Sequence, residues 1–297
     1  MTSIPYIGEI LSLSAAVLWA LAIVLFRKSG EVVHPVALNT FKDVLAMLLY
    51  FPTLALAGVS LLQPYPWTDY LLLLASGVIG IAVGDTLLFK SLFMIGAGPS
   101  ALVSCLYSPF IIGLSYVWIG ERLTLLQLLG AALIVTAVLE AARVEDGTKL
   151  EFKRRLAGIG WGVLAQASMA VGVVMIKPLL DEAPLLWAVE IRLIGGVLAL
   201  LLFLWVSPAR GTILSTLLVR GNRGYTITSS VIGGYVAMVI WLGGIKLTKA
   251  SIASALNQTN VVFVLIFAAL ILRERITPGR VVAILLAAAG ALMVIFG

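Results

Sequence analysis

Apolar residues along this chain come in long continuous blocks separated by short polar breaks, not in the short alternating segments of a membrane barrel. About 20 apolar residues in a helix cross a hydrocarbon core of roughly 30 Å. On that measure the pattern predicts spans at 7–26, 36–57, 69–90, 97–119 and 124–141. A second set follows at 156–177, 184–206, 226–245, 250–272 and 279–296. The expected fold is all-α and polytopic, with ten transmembrane helices in two sets of five. Residues 143–155, the most polar stretch, read as a linker between a first unit at 1–142 and a second at 156–297. The break at 207–224, with Pro208, Gly211, Gly221 and Gly224, reads as a loop.

Composition makes lipid the solvent. Only 11% of the residues are charged, 61% are hydrophobic and the mean hydropathy is +1.12, leaving no charged shell for a soluble domain. The net charge of +6 lies mostly in the breaks, where orientation signals belong, so no nucleic-acid partner is expected. The lone cysteine, Cys105, excludes an internal disulfide and reads as packing; with His34 the lone histidine, no metal site and no cofactor are expected. No basic residue precedes the first apolar run, so the first span reads as part of the mature chain, not as a cleaved signal. No Gly-rich phosphate loop ending in Lys-Ser or Lys-Thr is present, which argues against ATP as the energy source.

The two sets resemble each other. At an offset of 150 residues Gly8 aligns with Gly158, Ala15 with Ala165, Ala20 with Ala170, Val24 with Val174, Arg27 with Lys177 and Lys42 with Arg192. At an offset of 153, Glu121, Arg122 and Thr124 align with Glu274, Arg275 and Thr277. Because five is odd, the second copy is expected to insert upside down, a plan recurring in secondary transporters with a site near the midplane.

The run from Gly120-Glu121-Arg122-Leu123-Thr124 to Ile134, after a span containing Ser108-Pro109-Phe110, closely resembles the EamA repeat of the drug/metabolite transporter superfamily. Arg273-Glu274-Arg275-Ile276-Thr277, followed by Ala287 to Leu292, looks like the same signature again. The resemblance covers essentially the whole chain and implies a ten-helix fold that moves metabolites such as amino acids or sugar derivatives without hydrolysing ATP. The second copy has Val262 where the first has Pro109, so the two fourth helices are expected to bend differently.

Fourteen Lys and Arg residues fall in the loops that lead from odd to even spans, four in the other loops, and Lys42 and Arg192 lie within spans. The positive-inside rule therefore places both termini outside, whereas the family resemblance implies termini inside.

Charges within hydrocarbon are costly unless paired or facing water, which makes each a functional candidate. Lys42 and Asp85 lie at similar depths, about 10 Å in by helix rise, and with Ser104 and Tyr107 they form an expected first polar layer. Asp43 directly follows Lys42 and is expected to point to another helix face. Glu190 and Arg192, with Asn257, Gln258 and Asn260, form an expected second layer towards the opposite surface. Glu190 and Arg192 stand about 200° apart on a helix and so need different partners. Trp19 and Trp241 lie away from span ends and either line a cavity or pack as aromatics; Trp67, Trp118, Trp187 and Trp205 read as interfacial anchors. Glu121 and Glu274, at the turns after the fourth helices, read as caps or as partners of the adjacent arginines. The expected function is alternating-access transport of small polar metabolites, amino acids or related compounds, across the cell membrane, and no enzyme motif such as His-Glu-x-x-His or Gly-x-Ser-x-Gly is present. Expected partners are a small-molecule substrate, the bilayer and a coupling proton or ion, with a monomer or homodimer as the unit. The alternatives are a flippase of lipids or amphiphiles on the same fold and an intramembrane enzyme.

Overall fold

A computed structural model describes residues 6–120, 124–143, 152–219, 222–247, 256–257, 259–274 and 277–296. Among these residues the secondary structure is helical and contains no strand. The principal helices are α1 (Ile7–Ser29), α2 (Pro35–Leu56), α3 (Trp67–Ile95), α4 (Ala97–Ser104), α5 (Tyr107–Ile119) and α6 (Leu125–Arg143). They continue as α7 (Phe152–Val174), α8 (Leu185–Val206), α9 (Arg223–Leu247), α10 (Asn260–Ile271) and α11 (Pro278–Phe296). Among the described residues, six segments are long and apolar enough to cross a membrane: α1, α3, α4 with α5, α7, α8, and α9 as far as Gly244. Shorter apolar stretches lie at Leu125–Leu139, Asn260–Ile271 and Val281–Val294. Large side chains such as Leu48, Leu139, Leu202 and Leu270 are exposed, as befits an integral membrane protein whose outer face meets lipid.

Several element boundaries differ from the expected ones, each for a local reason. The third span is longer than expected and runs on to Ile95, which takes Lys90 into the helix; its ammonium lies over the Trp161 ring at 3.5 Å. The sixth ends at Val174, because Pro178 has no N–H to continue the helical ladder, and a short turn of helix, Lys177–Leu180, follows. The fourth span is interrupted between α4 and α5, where Cys105 donates to the Leu102 carbonyl and Leu106 to the Val103 carbonyl. In the second set, Thr259 forms a turn before α10, donating its N–H to the Leu256 carbonyl at 3.2 Å. The Thr259 hydroxyl also donates to the Leu256 carbonyl. The break in the fourth span lies three residues before Pro109, which itself sits in the first turn of α5, and Val262 sits in the first turn of α10.

Close packing runs through glycines. A Cβ at Gly77 of α3 would overlap the Arg192 carbonyl of α8, and one at Gly195 would overlap the Leu74 carbonyl of α3. Gly130 of α6 and Gly290 of α11 face each other's carbonyls in the same way. Helix α1 packs along α9, α7 along α3, α2 against α8, and α6 against α11.

Both α3 and α9 contain a π-helical segment, Val78–Asp85 and Ser230–Val236. A π-helix displaces carbonyls from the regular ladder, and each segment has a side-chain donor on it. Asn39 of α2, fully buried, donates to the Ile81 carbonyl at 3.0 Å and to Thr86 Oγ1 at 3.1 Å. Trp19 Nε1 of α1 donates to the Gly233 carbonyl at 3.2 Å.

Candidate functional site

Lys42 projects from α2 between two carboxylates. Its Nζ donates to Asp43 Oδ1 at 2.6 Å and to Asp85 Oδ2, at the end of the α3 π segment, also at 2.6 Å. The expectation that Asp43 points elsewhere is corrected: the four-carbon lysine stem folds back along its own helix, so two adjacent residues meet although their Cβ atoms diverge. Lys42 and Asp43 are buried, while Asp85 retains partial access.

Lys42 and Asp85 of this ion triad line a cavity of about 190 Å³. Trp19 and Phe26 of α1 and Phe89 of α3 form apolar walls; Ser100 and Ser104 of α4 add polar edges. The Lys42 ammonium lies 5.9 Å from the Phe89 ring centroid. Ser104 donates to the Ser100 carbonyl at 3.0 Å and receives a bond from Gln166 Nε2 of α7 at 3.4 Å. The cavity is smaller than the roughly 300–1,000 Å³ of drug-sized sites, and its composition combines a paired cation and anion with aromatic faces.

The other expected residues are distributed differently. Tyr107, at the start of α5, is half-buried and does not line the cavity. Arg192 turns towards the α3 π segment, close to Gly80, and lies within electrostatic reach of Asp85 and Tyr107. The expected separation into two layers is therefore corrected for Arg192, which the close approach of α8 to Gly77 brings to the first layer. Glu190, two residues earlier, is fully buried on the face towards α2, as the angle between the two requires. Trp19 does both things foreseen for it: it lines the cavity and packs on Trp241, with ring centroids 5.6 Å apart. Trp241 sits behind it with a buried Nε1 that has no partner among the described residues. Asn257 and Asn260 are half-buried and outside the cavity lining, and Asn257 Oδ1 is unpartnered among the described residues. Gln258, Glu121 and Arg122 lie outside the described residues.

Trp187 is corrected from an interfacial anchor to a fully buried residue. It stacks on Tyr65 at 5.0 Å and donates from Nε1 to the Leu61 carbonyl at 2.9 Å. Trp67, Trp118 and Trp205 are exposed, as their positions suggested. Sequence reading missed Asn39, Gln166, Phe26 and Phe89. The first two were visible as amides inside apolar runs; the two phenylalanines carried no signal that separates a cavity wall from a core.

The EamA-like transporter family model matches residues 6–141 and again residues 156–296. An uncharacterized transporter of Archaeoglobus fulgidus is 28% identical over 275 residues, covering 90% of each chain. A solved crystal structure superposes with a TM-score of 0.59 over 96% of this chain and 95% of that one, at 17% identity, a likeness of fold. With two copies of the family model spanning nearly all of its length, the chain belongs to the EamA-like transporter family, and is a membrane transporter and not an enzyme.

Proposed function

We propose that the protein is a secondary transporter of small zwitterionic metabolites, free amino acids above all, working in the cell membrane by alternating access between two inverted five-helix copies. The observation that carries this reading is the Lys42–Asp85 pair at the wall of a cavity that also has three aromatic rings, Trp19, Phe26 and Phe89, in its lining. A free amino acid offers a carboxylate for the Lys42 ammonium and an ammonium for Asp85, and so replaces the internal pair without leaving a buried charge alone. Trp19, Phe26 and Phe89 supply an apolar berth for its side chain. Ser104 offers a hydroxyl at the edge.

The helix partnerships support two inverted copies. Exchanging each helix of the first copy for its counterpart in the second turns the α1–α9 contact into the α7–α3 contact, and leaves α2–α8 and α6–α11 as they are. The π segments of α3 and α9 occupy corresponding places, and such segments are frequent at functional sites. A change of π register in one copy at a time would tilt the helices around the cavity and open it to alternate sides.

The test is a thermal-stability screen of the purified protein against free amino acids, amines and sugar derivatives, followed by flux of each stabilising compound in proteoliposomes. An amino acid that stabilises wild type, fails to stabilise Lys42→Met and moves only through wild type is the expected result. Stabilisation by uncharged amphiphiles alone, with lipid movement in place of amino-acid flux, overturns the reading in favour of a flippase.

A further inference from the structure

Six acidic or basic side chains lie five or more residues inside the spans α2, α3 and α8: Lys42, Asp43, Asp85, Lys90, Glu190 and Arg192, with the Lys90 ammonium over the Trp161 ring. Four of them balance. Lys42 is bonded to both aspartates, and Arg192 lies within electrostatic reach of Asp85. Glu190 is the remaining carboxylate. It is fully buried, and neither of its oxygens has a hydrogen-bond partner among the described residues.

An ionised carboxylate in that position would carry an uncompensated charge in a low-dielectric interior, at a cost that no contact there offsets, whereas the neutral acid loses only its hydrogen bonds to water. Among the described residues, its surroundings offer hydroxyls and no cation bonded to it. From α2, Tyr50 lies within electrostatic reach; it is fully buried, and its hydroxyl is also unpartnered. From the π segment of α9, Tyr235 packs edge-on against Tyr50 with ring centroids 5.2 Å apart, and its hydroxyl is 2.6 Å from Thr53 Oγ1. From α3, the ionisable groups are Asp69 and Tyr70 near its start, where Tyr70 packs on Trp187, Asp85, already bonded to Lys42, and Lys90, whose ammonium lies over the Trp161 ring. On α8 itself, Arg192 turns to the opposite face.

We propose that Glu190 is a proton-binding site, loaded in this conformation, and that release of its proton along the Tyr50, Tyr235 and Thr53 hydroxyls couples transport to the proton gradient. The coupling half rests on the transporter reading above; the binding half does not. Release leaves Glu190 as the carboxylate and gives the proton to water at the C-terminal end of α2, where Thr53 lies one turn beyond Tyr50. The Tyr50 hydroxyl is unpartnered here, so the line stands open in this conformation, and because Tyr235 sits on a π segment, a change of register there would close it. The conformational step and the protonation step thereby share one element.

Infrared spectroscopy of purified protein in lipid reads the binding half without any substrate. At neutral pH, wild type should show the carbonyl stretch of a neutral carboxylic acid that shifts when glutamate alone is carbon-13 labelled and is missing from Glu190→Gln. Absence of a glutamate-dependent band in wild type overturns the proposal, whether or not the variant folds. So does a band that persists unchanged in Glu190→Gln. In proteoliposomes, each amino acid that wild type moves should accumulate several-fold under an imposed pH gradient, and Glu190→Gln should lose the accumulation. Amino-acid flux in wild type that ignores the gradient overturns the coupling half. If wild type moves no amino acid, the transporter reading has failed, and the infrared result stands by itself.

Discussion

The carboxylate of Glu274 caps the helix that begins at Ala97: Oε1 accepts the Ala97 N–H at 2.9 Å and Oε2 accepts the Gly98 N–H at 3.2 Å. The glutamate of the second Arg-Glu-Arg signature thus reaches across to the first copy and satisfies two of the orphan donors of α4, where its charge also complements the positive helix end. Gly96 turns the chain into this helix with φ of 88°, and a Cβ there would lie 2.8 Å from Glu274 Oε1.

Glu274→Ala should therefore destabilise the protein by about 1–2 kcal/mol, the usual worth of a helix cap. Gly96→Ala should cost at least as much, since it strains the backbone and displaces the same carboxylate. Glu274→Gln keeps one acceptor and should fall between wild type and Glu274→Ala. Melting temperatures in detergent check the order; equal melting temperatures for Glu274→Ala and wild type would show that the cap contributes nothing.

The ion triad makes an asymmetric forecast. Asp85→Asn leaves the Lys42–Asp43 bond in place and should be mild, whereas Lys42→Met strands the buried Asp43 together with the partly buried Asp85 and should cost about 3–5 kcal/mol. Adding Asp85→Asn to Lys42→Met should recover only part of that loss, because Asp43 stays unpaired. Neutralising all three should recover most of it yet leave the protein inactive in flux assays. Full recovery by the double variant would mean that Asp43 does not share the lysine.

His34 precedes α2 as its cap, accepting the Val36 N–H on Nδ1 at 3.3 Å. Partial burial, and then the nearby Lys90, hold its pKa below the ordinary 6.5. The unfolded chain therefore takes up this proton first. Its contribution to stability is complete above about pH 6.5 and declines as the pH falls through that value towards the folded pKa. His34→Asn keeps a capping acceptor and should flatten this part of the profile of melting temperature against pH; an unchanged slope would assign the dependence to other groups.

Topology has a forecast of its own. By the count from the sequence, fourteen cations against four, the odd-to-even loops are expected on the cytoplasmic side, so a reporter fused after Gly297 should read the outside of the cell. Alkaline phosphatase activity with a silent cytoplasmic reporter is the expected result, and the reverse pattern would invert the orientation.

What the sequence alone determined was solvent, element type and candidate charges. Long apolar runs in a chain with few charges require helices in lipid, since backbone groups there have no water to bond with. The same requirement singled out Lys42, Asp85, Glu190 and Arg192, because a charge in an apolar run needs a reason to be there. Tertiary structure decided who meets whom. Helical phase separated Asp43 from Lys42, but the length of the lysine stem joined them. Depth counting put Arg192 in another layer, but the glycine at 77 let α8 approach and brought it near Asp85. Neither the π segments nor the reach of Glu274 across 177 positions to Ala97 is encoded in any local pattern. Each depends on which carbonyl or amide a neighbouring helix leaves unpaired, and that is settled only when the helices pack.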